Sequence, residues 1–294
     1  MPEFPEVFAV FGPTASGKSD VAEALADRIG TEVVSADALQ VYRGLPILTN
    51  QPPRPTRLVA IRGIDEEMSV GEYAGLAHDA VDELVRRNGS AVVAGGTGLY
   101  LRAALADLRL PPPPLPGARK RLEEAYDADP RVAHARLAEL DEPAAATVHP
   151  NDRRRVVRAL ELAEAGASLA PERDRLWSND TRRPTLVVGL HVPPQTLDER
   201  IRARAQAMLA AGALEEAKGA IAAGVSRTAE KALGLREHAE LPPDRALERI
   251  VVRTRRYAAY QRKWMRRIPG IVMIDADRPA NEVADAILEV ARAR

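Results

Sequence analysis

Gly12-Pro13-Thr14-Ala15-Ser16-Gly17-Lys18-Ser19 fits the pattern G-x-x-x-x-G-K-[ST] at every position. Val7–Phe11 before it is a short apolar run that reads as a buried strand. Gly17 to about Ile29 after it alternates apolar and polar residues at helical spacing. A strand that ends in glycine and feeds a helix leaves little freedom for the turn between them. The glycines let the backbone curl until its N–H groups converge on phosphate oxygens. The helix N-terminus adds partial positive charge at the same point. Lys18 neutralises a terminal phosphate, and the Ser19 hydroxyl can ligate Mg²⁺. These eight residues predict a phosphate-bearing ligand without saying which one.

The elements that follow predict an α/β fold. Thr31–Ser35, Leu58–Ile64 and Ala91–Ala94 read as strands and Gly71–Arg87 as a helix. Strands alternating with helices imply parallel βαβ units, here a P-loop NTPase-like sheet with helices on both faces. The pattern breaks at Pro111-Pro112-Pro113-Pro114-Leu115-Pro116, a density of proline that makes a stiff, extended connector. Helical spacing runs from Ala118 to about Ala165 with no strand, and Ser168 to Pro184 reads as irregular. Thr185–Leu190 reads as a strand again and Ile271–Ile274 as the last one. The expected organisation is a discontinuous catalytic core, residues 1–114 and 184–294, with a helical insertion domain at 115–183.

Composition narrows the classes. The 294 residues can bury a substantial core. They contain no cysteine, which removes disulfides, Cys-based zinc sites and thiol nucleophiles, and fits a reducing, cytoplasmic compartment. The five histidines show no metal-ligand spacing. No run approaches the roughly 18 apolar residues that a membrane span needs. The proline-broken, acidic Met1–Glu6 does not read as a signal peptide. Charge is balanced, 42 basic against 42 acidic residues, yet only five of the basic residues are lysine. Arginine suits bidentate phosphate contacts, although a GC-rich genome also raises its share.

Two nucleotide-hydrolysing readings weaken on inspection. No Asn-Lys-x-Asp is present to read a guanine. The strand Ala91–Ala94 ends in Gly95-Gly96-Thr97-Gly98 rather than in an acid. An acid does follow the second strand, in Ser35-Ala36-Asp37-Ala38-Leu39-Gln40-Val41-Tyr42-Arg43-Gly44. In a parallel sheet both segments lie at the carboxyl ends of strands, beside the phosphate loop, where ligands bind. Asp37 can serve as a general base or metal ligand, and Thr97 can donate to a phosphate or bridging oxygen. Taken singly, either residue equally suits a helix cap.

With these motifs the chain resembles the tRNA dimethylallyltransferases, the isopentenyltransferases that prenylate an adenosine beside the anticodon. The resemblance runs through Gly12–Ser19, Asp37 with Gln40–Gly44, and Gly95–Tyr100. It continues through His149-Pro150-Asn151-Asp152, Arg155 and Arg158–Glu161, then Thr254-Arg255, Tyr257-Ala258, Gln261 and Trp264. It implies dimethylallyl diphosphate as donor, its diphosphate held by Gly12, Pro13, Thr14, Ala15, Ser16, Gly17, Lys18 and Ser19, with Mg²⁺ near Ser19. The acceptor is the exocyclic amine of an adenine extruded from the tRNA anticodon stem-loop. That amine needs a base because its lone pair is delocalised. The resemblance makes Asp37 the catalytic base and Thr97 the residue at the donor's bridging oxygen. It also places Asp37, Ala38, Leu39, Gln40, Thr97, Arg119, Arg154, Arg155, Val156, Val157, Arg158, Lys231 and Arg236 near tRNA, and it implies a monomer.

The basic segments bear on that partner. Arg154, Arg155 and Arg158 are neighbours on a helix that Asn151 or Asp152 can cap, and they form one basic face. Without the resemblance a solvated face is the simpler reading. Val252–Arg267 carries seven basic residues and no acid. Its arginines suit phosphates, and its stripe of Tyr257, Tyr260 and Trp264 suits core packing better than base stacking.

Departures from the family gather on the acceptor side. Asp37 is followed by Ala38 where a serine is usual. Ala60-Ile61-Arg62 stands for Pro-His-His, Thr49-Asn50-Gln51-Pro52 for Thr-Ala-Lys-Pro, and Leu233-Gly234-Leu235 for Ile-Gly-Tyr. Lys231 stands where some members have arginine. Two other activities remain open, prenyl transfer to free AMP and a small-molecule kinase. A small acceptor has no need of the insertion and arginine clusters, and a kinase gives Gly95–Tyr100 no reason. A non-catalytic RNA-binding protein has no need of Lys18, Asp37 and Thr97 together.

Overall fold

The computed structural model describes residues 4–108, 115, 117–170 and 178–294. It divides into two compact units, one of Met1–Asp107 with Leu176–Arg294 and one of Leu108–Arg175. The division falls earlier than the expected 115 and 183 because the segment just before residue 184 belongs to the sheet unit. The Arg182 N–H donates to the Leu105 carbonyl, and the Arg183 guanidinium pairs with Asp82 and Glu6. The proline run lies outside the described residues, apart from Leu115.

The larger unit is built on five parallel strands, β1 (Val7–Phe11), β2 (Val33–Ser35), β3 (Ala91–Gly95), β4 (Thr185–His191) and β5 (Val272–Asp275). Their order across the sheet is β2-β3-β1-β4-β5. The central strand β1 pairs with β3 through Val7↔Ala91 and with β4 through Val7↔Thr185. Phe8 and Val10 face a core shared with α1 (Lys18–Ile29) and α12 (Ala280–Arg292). Val7, Ala9 and Phe11 point the other way and are buried as well. Helices therefore cover both faces, and the strands read as continuous apolar runs. α2 (Val70–Asn88) lies beside β2 and β3, and its Tyr73 hydroxyl donates to the Ser35 carbonyl at 3.0 Å. α3 (Gly98–Leu105) follows β3 directly.

The expected strand at Leu58–Ile64 does not form. Leu58 and Ala60 adopt φ of 64° and 53°, which interrupts any extended run. Only isolated bridges remain, Val34↔Arg57 and Tyr42↔Arg62. The segment instead wraps the turn after β2, with the N–H groups of Ala60, Ile61 and Arg62 donating to the carbonyls of Gln40 and Val41.

The smaller unit is helical, as its spacing predicts, with α4 (Ala118–Ala128), α5 (Pro130–Leu140), α6 (Glu142–Thr147) and α7 (Arg153–Glu164). Asp152 caps α7, its carboxylate accepting from the Arg155 N–H at 3.1 Å. Leu122, Leu137, Val156, Val157 and Leu160 share its core. Among the described residues no helix is long and apolar enough to cross a membrane.

Candidate active site

The carboxyl ends of β1 and β2 open into one cavity of about 540 Å³. Its wall includes Thr14–Val21 from the phosphate loop, Asp37, Leu39 and Gln40 from the turn after β2, and Thr49 and Asn50 beyond. From the C-terminal half come Arg200 and Arg204 of α8 (Pro194–Ala210), and Thr254, Tyr257 and Gln261 of α11 (Pro243–Met265). Gly12 and Pro13 stand behind this wall and shape the loop.

The loop owes its form to backbone that side chains tolerate poorly. Ala15 and Gly17 have φ of 64° and 79°. A Cβ on Gly12 would come within 2.5 Å of Ser16 Oγ, so a larger residue there has to displace the Ser16 hydroxyl. Ser16 Oγ is itself buried and has no hydrogen-bond partner among the described residues. α1 begins at Lys18, so its free N–H groups point at the cavity.

Three charges share this space. Burial pushes the Lys18 ammonium down to about 8, against the pull of Asp37, and Arg204 lowers it further. Burial also lowers Arg204, which Asp37 partly offsets. Arg204 donates to Thr14 Oγ1 at 3.1 Å. Two cations at one loop suit a polyanion better than a single phosphate. Sequence reasoning missed Arg204 because its local pattern on α8 resembles that of the other arginines. Only the fold brings it to the loop.

Asp37 sits in a tight turn, with Oδ1 accepting from the Leu39 N–H at 2.9 Å. Gln40 is fully committed. It accepts from Ser35 Oγ at 2.8 Å and donates to the Thr49 and Asn50 carbonyls at 3.3 and 2.9 Å. Ala38 adds no side chain to the wall. The loop that carries Thr49 is held from α9 (Ala213–Ala223), whose Glu216 carboxylate accepts from the Ile47 and Leu48 N–H groups at 2.9 and 2.8 Å.

The glycines after β3 are required by close approach. A Cβ on Gly95 would overlap the Ala36 carbonyl, one on Gly96 the Gln261 amide, and one on Gly98 the Trp264 ring. Gln261 is buried and bridges two loops, accepting from the Thr14 N–H and donating to the Gly96 carbonyl, both at 2.8 Å. Thr97 is not part of the cavity wall, but its Oγ1 lies 3.3 Å from the hydroxyl of Tyr257, which does line the cavity. The aromatic stripe does not simply pack into the core. Tyr257 faces the cavity and Tyr260 is 55% exposed.

The expected RNA-facing residues divide. Arg154 and Arg155 are exposed and make no ion pair among the described residues. Arg119 and Arg158 both bind the buried Glu161 carboxylate. Burial alone would raise that carboxyl, but the two guanidinium groups hold it below its ordinary range. Val156 and Val157, expected near tRNA, instead have their side chains in the core of the helical unit, because the apolar face of α7 packs inward. Lys231 and Arg236 are exposed in the larger unit, and Arg236 pairs with Glu230. Among the described residues no group of three or more His, Asp or Glu side chains is placed to hold a metal.

Comparison with known proteins agrees with this architecture. The family model described as IPP transferase matches residues 40–268, and that described as isopentenyl transferase matches residues 5–65. The chain is 40% identical over 278 residues to the tRNA dimethylallyltransferase of Anaeromyxobacter dehalogenans, covering 90% of this chain and 93% of that one. It is 39% identical over 308 residues to that of Kineococcus radiotolerans, covering 96% and 95%. Among solved structures, a eukaryotic dimethylallyltransferase acting on tRNA matches with a TM-score of 0.77 at 27% identity, covering 98% of this chain and 79% of that one. The chain therefore belongs to the IPP transferase family, that of the tRNA dimethylallyltransferases.

Proposed function

We propose that this protein transfers a dimethylallyl group from dimethylallyl diphosphate to the exocyclic amine of the adenosine beside the anticodon of tRNA, releasing diphosphate. The observation that carries the reading is the meeting of Lys18, Arg204 and Asp37 in one cavity. Two cations and a ring of N–H groups suit a departing diphosphate, and a carboxylate beside them suits an amine that must lose a proton.

Substrate binding precedes chemistry. The loop Thr14–Ser19 and Arg204 hold the diphosphate and orient its allylic carbon toward Asp37. The adenine amine attacks that carbon, the carbon–oxygen bond breaks, and Asp37 takes the proton. A base in this position contributes about 10²–10⁴-fold.

Mg²⁺ suits the donor set. Ser19 and Asp37 offer one hydroxyl and one carboxylate in the same cavity, and no larger cluster of His, Asp or Glu side chains accompanies them among the described residues. A hard cation that keeps several waters and binds mainly through substrate phosphates needs no more. When bound, it supplies further neutralisation of the leaving diphosphate.

Arg154 and Arg155, exposed on α7, are suited to tRNA phosphates. The protein is proposed to act as a cytoplasmic monomer. The test is incubation with labelled dimethylallyl diphosphate and Mg²⁺, offering unmodified tRNA, AMP or buffer. Label in tRNA that disappears with a chelator and returns with Mg²⁺ supports the reading. Label in AMP alone transfers the activity to a free nucleotide and leaves the arginine face as solvated surface.

A further inference from the structure

Residues 45–51 coil into one tight turn beside the cavity. The Thr49 N–H donates to the Leu45 carbonyl at 3.1 Å, the Asn50 N–H to that of Ile47 at 3.1 Å and the Gln51 N–H to that of Pro46 at 2.9 Å. The Thr49 hydroxyl also donates to the Leu45 carbonyl, at 2.6 Å. The first N–H groups of a helical turn find no partner within it. A Ser, Thr, Asp or Asn just before the turn ordinarily caps them, and Tyr42-Arg43-Gly44-Leu45 offers none. The cap comes from far along the chain. Glu216 of α9, 168 positions beyond Leu48, accepts from the Leu48 N–H with Oε1 at 2.8 Å and from the Ile47 N–H with Oε2 at 2.9 Å. Two oxygens of one carboxylate fix the orientation of the turn as well as its place. The turn also packs on the corner between α8 and α9, where a Cβ on Gly212 would lie 3.9 Å from Ile47 Cδ1.

The other side of the turn is tied to the segment after β2. The Gln40 amide donates to the Thr49 and Asn50 carbonyls, and the Gln51 amide donates to the Gln40 and Tyr42 carbonyls at 3.2 and 2.7 Å. The turn therefore bridges α9 and the residues that follow Asp37. Leu48, Thr49 and Asn50 line the same cavity as Asp37, Leu39 and Gln40. The phosphate loop is held separately, through Thr14, by Gln261 and Arg204. Without the Glu216 carboxylate the turn stays hinged on Gln40 and Gln51, and its α9 side is released.

We propose that Glu216 is a positioning residue for the acceptor, which clamps the turn 45–51 to α9 so that Leu48, Thr49 and Asn50 keep their place in the cavity wall beside Asp37. The inference rests on the prenyl-transfer reading, in which the diphosphate lies at residues 14–19 and Arg204 and the amine comes to Asp37. The turn then borders the amine and not the diphosphate. Glu216 touches neither substrate. Its effect passes through two backbone N–H groups to the wall against which the acceptor base is set.

The experiment compares wild type, Glu216→Ala, Glu216→Gln and Glu215→Gln in three measurements: steady-state transfer to unmodified tRNA, affinity for inorganic diphosphate, and amide hydrogen exchange of residues 45–51. Glu216→Ala should speed exchange at Ile47 and Leu48 and lower kcat/KM for tRNA on the order of 10–10²-fold, as a misplacement of about 1 Å does. Its affinity for inorganic diphosphate should stay within about twofold of wild type, since the clamp and the phosphate loop have separate partners. A purely structural role would not split the two substrates in this way. Glu216→Gln keeps one oxygen that can accept from one N–H, so it should fall between wild type and Glu216→Ala, and it carries the comparison if Glu216→Ala does not fold. Glu215→Gln removes the neighbouring exposed charge and should match wild type. A parallel loss of diphosphate affinity, or faster exchange with kcat/KM unchanged, would overturn the inference and leave prenyl transfer standing. Wild type that transfers no prenyl group to tRNA would overturn both.

Discussion

Thr14 and Gln261, 247 positions apart in sequence, are joined by a hydrogen bond of 2.8 Å from the N–H of the first to the side-chain oxygen of the second. The same amide donates to the Gly96 carbonyl. The phosphate loop is thus not a self-contained turn. Its first half is held open by a residue of α11, and the turn after β3 is held by the same residue. Both strand ends are set before any ligand arrives, so little binding energy is lost to ordering them.

Gln261→Met, which keeps the volume and removes both hydrogen bonds, should therefore act on stability and on the donor together. Two buried backbone groups lose their partners, each at about 1–3 kcal/mol. Thermal denaturation should show a clear drop in Tm, and calorimetry a weaker affinity for dimethylallyl diphosphate. Unchanged donor affinity in a folded variant would mean that the loop holds its shape without the bridge.

Lys18 gives the site a pH signature. Its ammonium titrates near 8 in the folded protein, against 10.5 for an ordinary lysine. Between those values the unfolded chain binds more protons than the folded one, so this group makes stability rise with pH from about 8 to 10.5. Ligand binding has the opposite sense. A diphosphate favours the charged lysine, so binding at about pH 9 should draw in a proton and weaken as pH rises further. Titration calorimetry of dimethylallyl diphosphate in buffers of different ionisation enthalpy reads that proton directly. Lys18→Met should abolish the uptake, and uptake that persists would assign it to another group.

Asp37→Asn preserves the turn, because an amide oxygen can still accept from the Leu39 N–H that now bonds Oδ1 at 2.9 Å. It removes only the base. Single-turnover transfer should fall at least about 10²-fold while donor affinity survives. Donor affinity that falls in parallel would make Asp37 a metal ligand before a base.

The parts legible in the sequence are those whose chemistry is local. The loop Gly12–Ser19 carries its own signature, and the five strands are apolar runs bounded by glycine or polar residues. Asp37 is legible because it follows a strand. What escapes depends on contacts between distant segments. Arg204 has no local mark, yet it donates to Thr14 from α8. Leu58–Ile64 has the residues of a strand, and its backbone turns aside because Leu58 and Ala60 take left-handed conformations in order to bond the Gln40–Val41 turn. Val156 and Val157 lie beside arginines in sequence and on the opposite, buried side of α7 in space. Helical periodicity alone assigns them to a core, and adjacency to a basic run hides it.

The basic face of α7 yields the last prediction, because its arginines differ in how they are held. Arg158 binds the buried Glu161 together with Arg119, so removing it disturbs a carboxylate that has no access to water. Arg154 and Arg155 are exposed and ion-pair with nothing among the described residues. Arg154→Ala and Arg155→Ala should leave stability within the range of ordinary surface substitutions, about 0.5 kcal/mol or less. Each should weaken tRNA binding and lower the slope of log affinity against log salt by about 0.7–0.9 for every phosphate that the side chain neutralises. Arg158→Ala should instead lower Tm. An unchanged salt slope in the Arg154→Ala/Arg155→Ala variant would remove this face from RNA recognition and make it solvated surface.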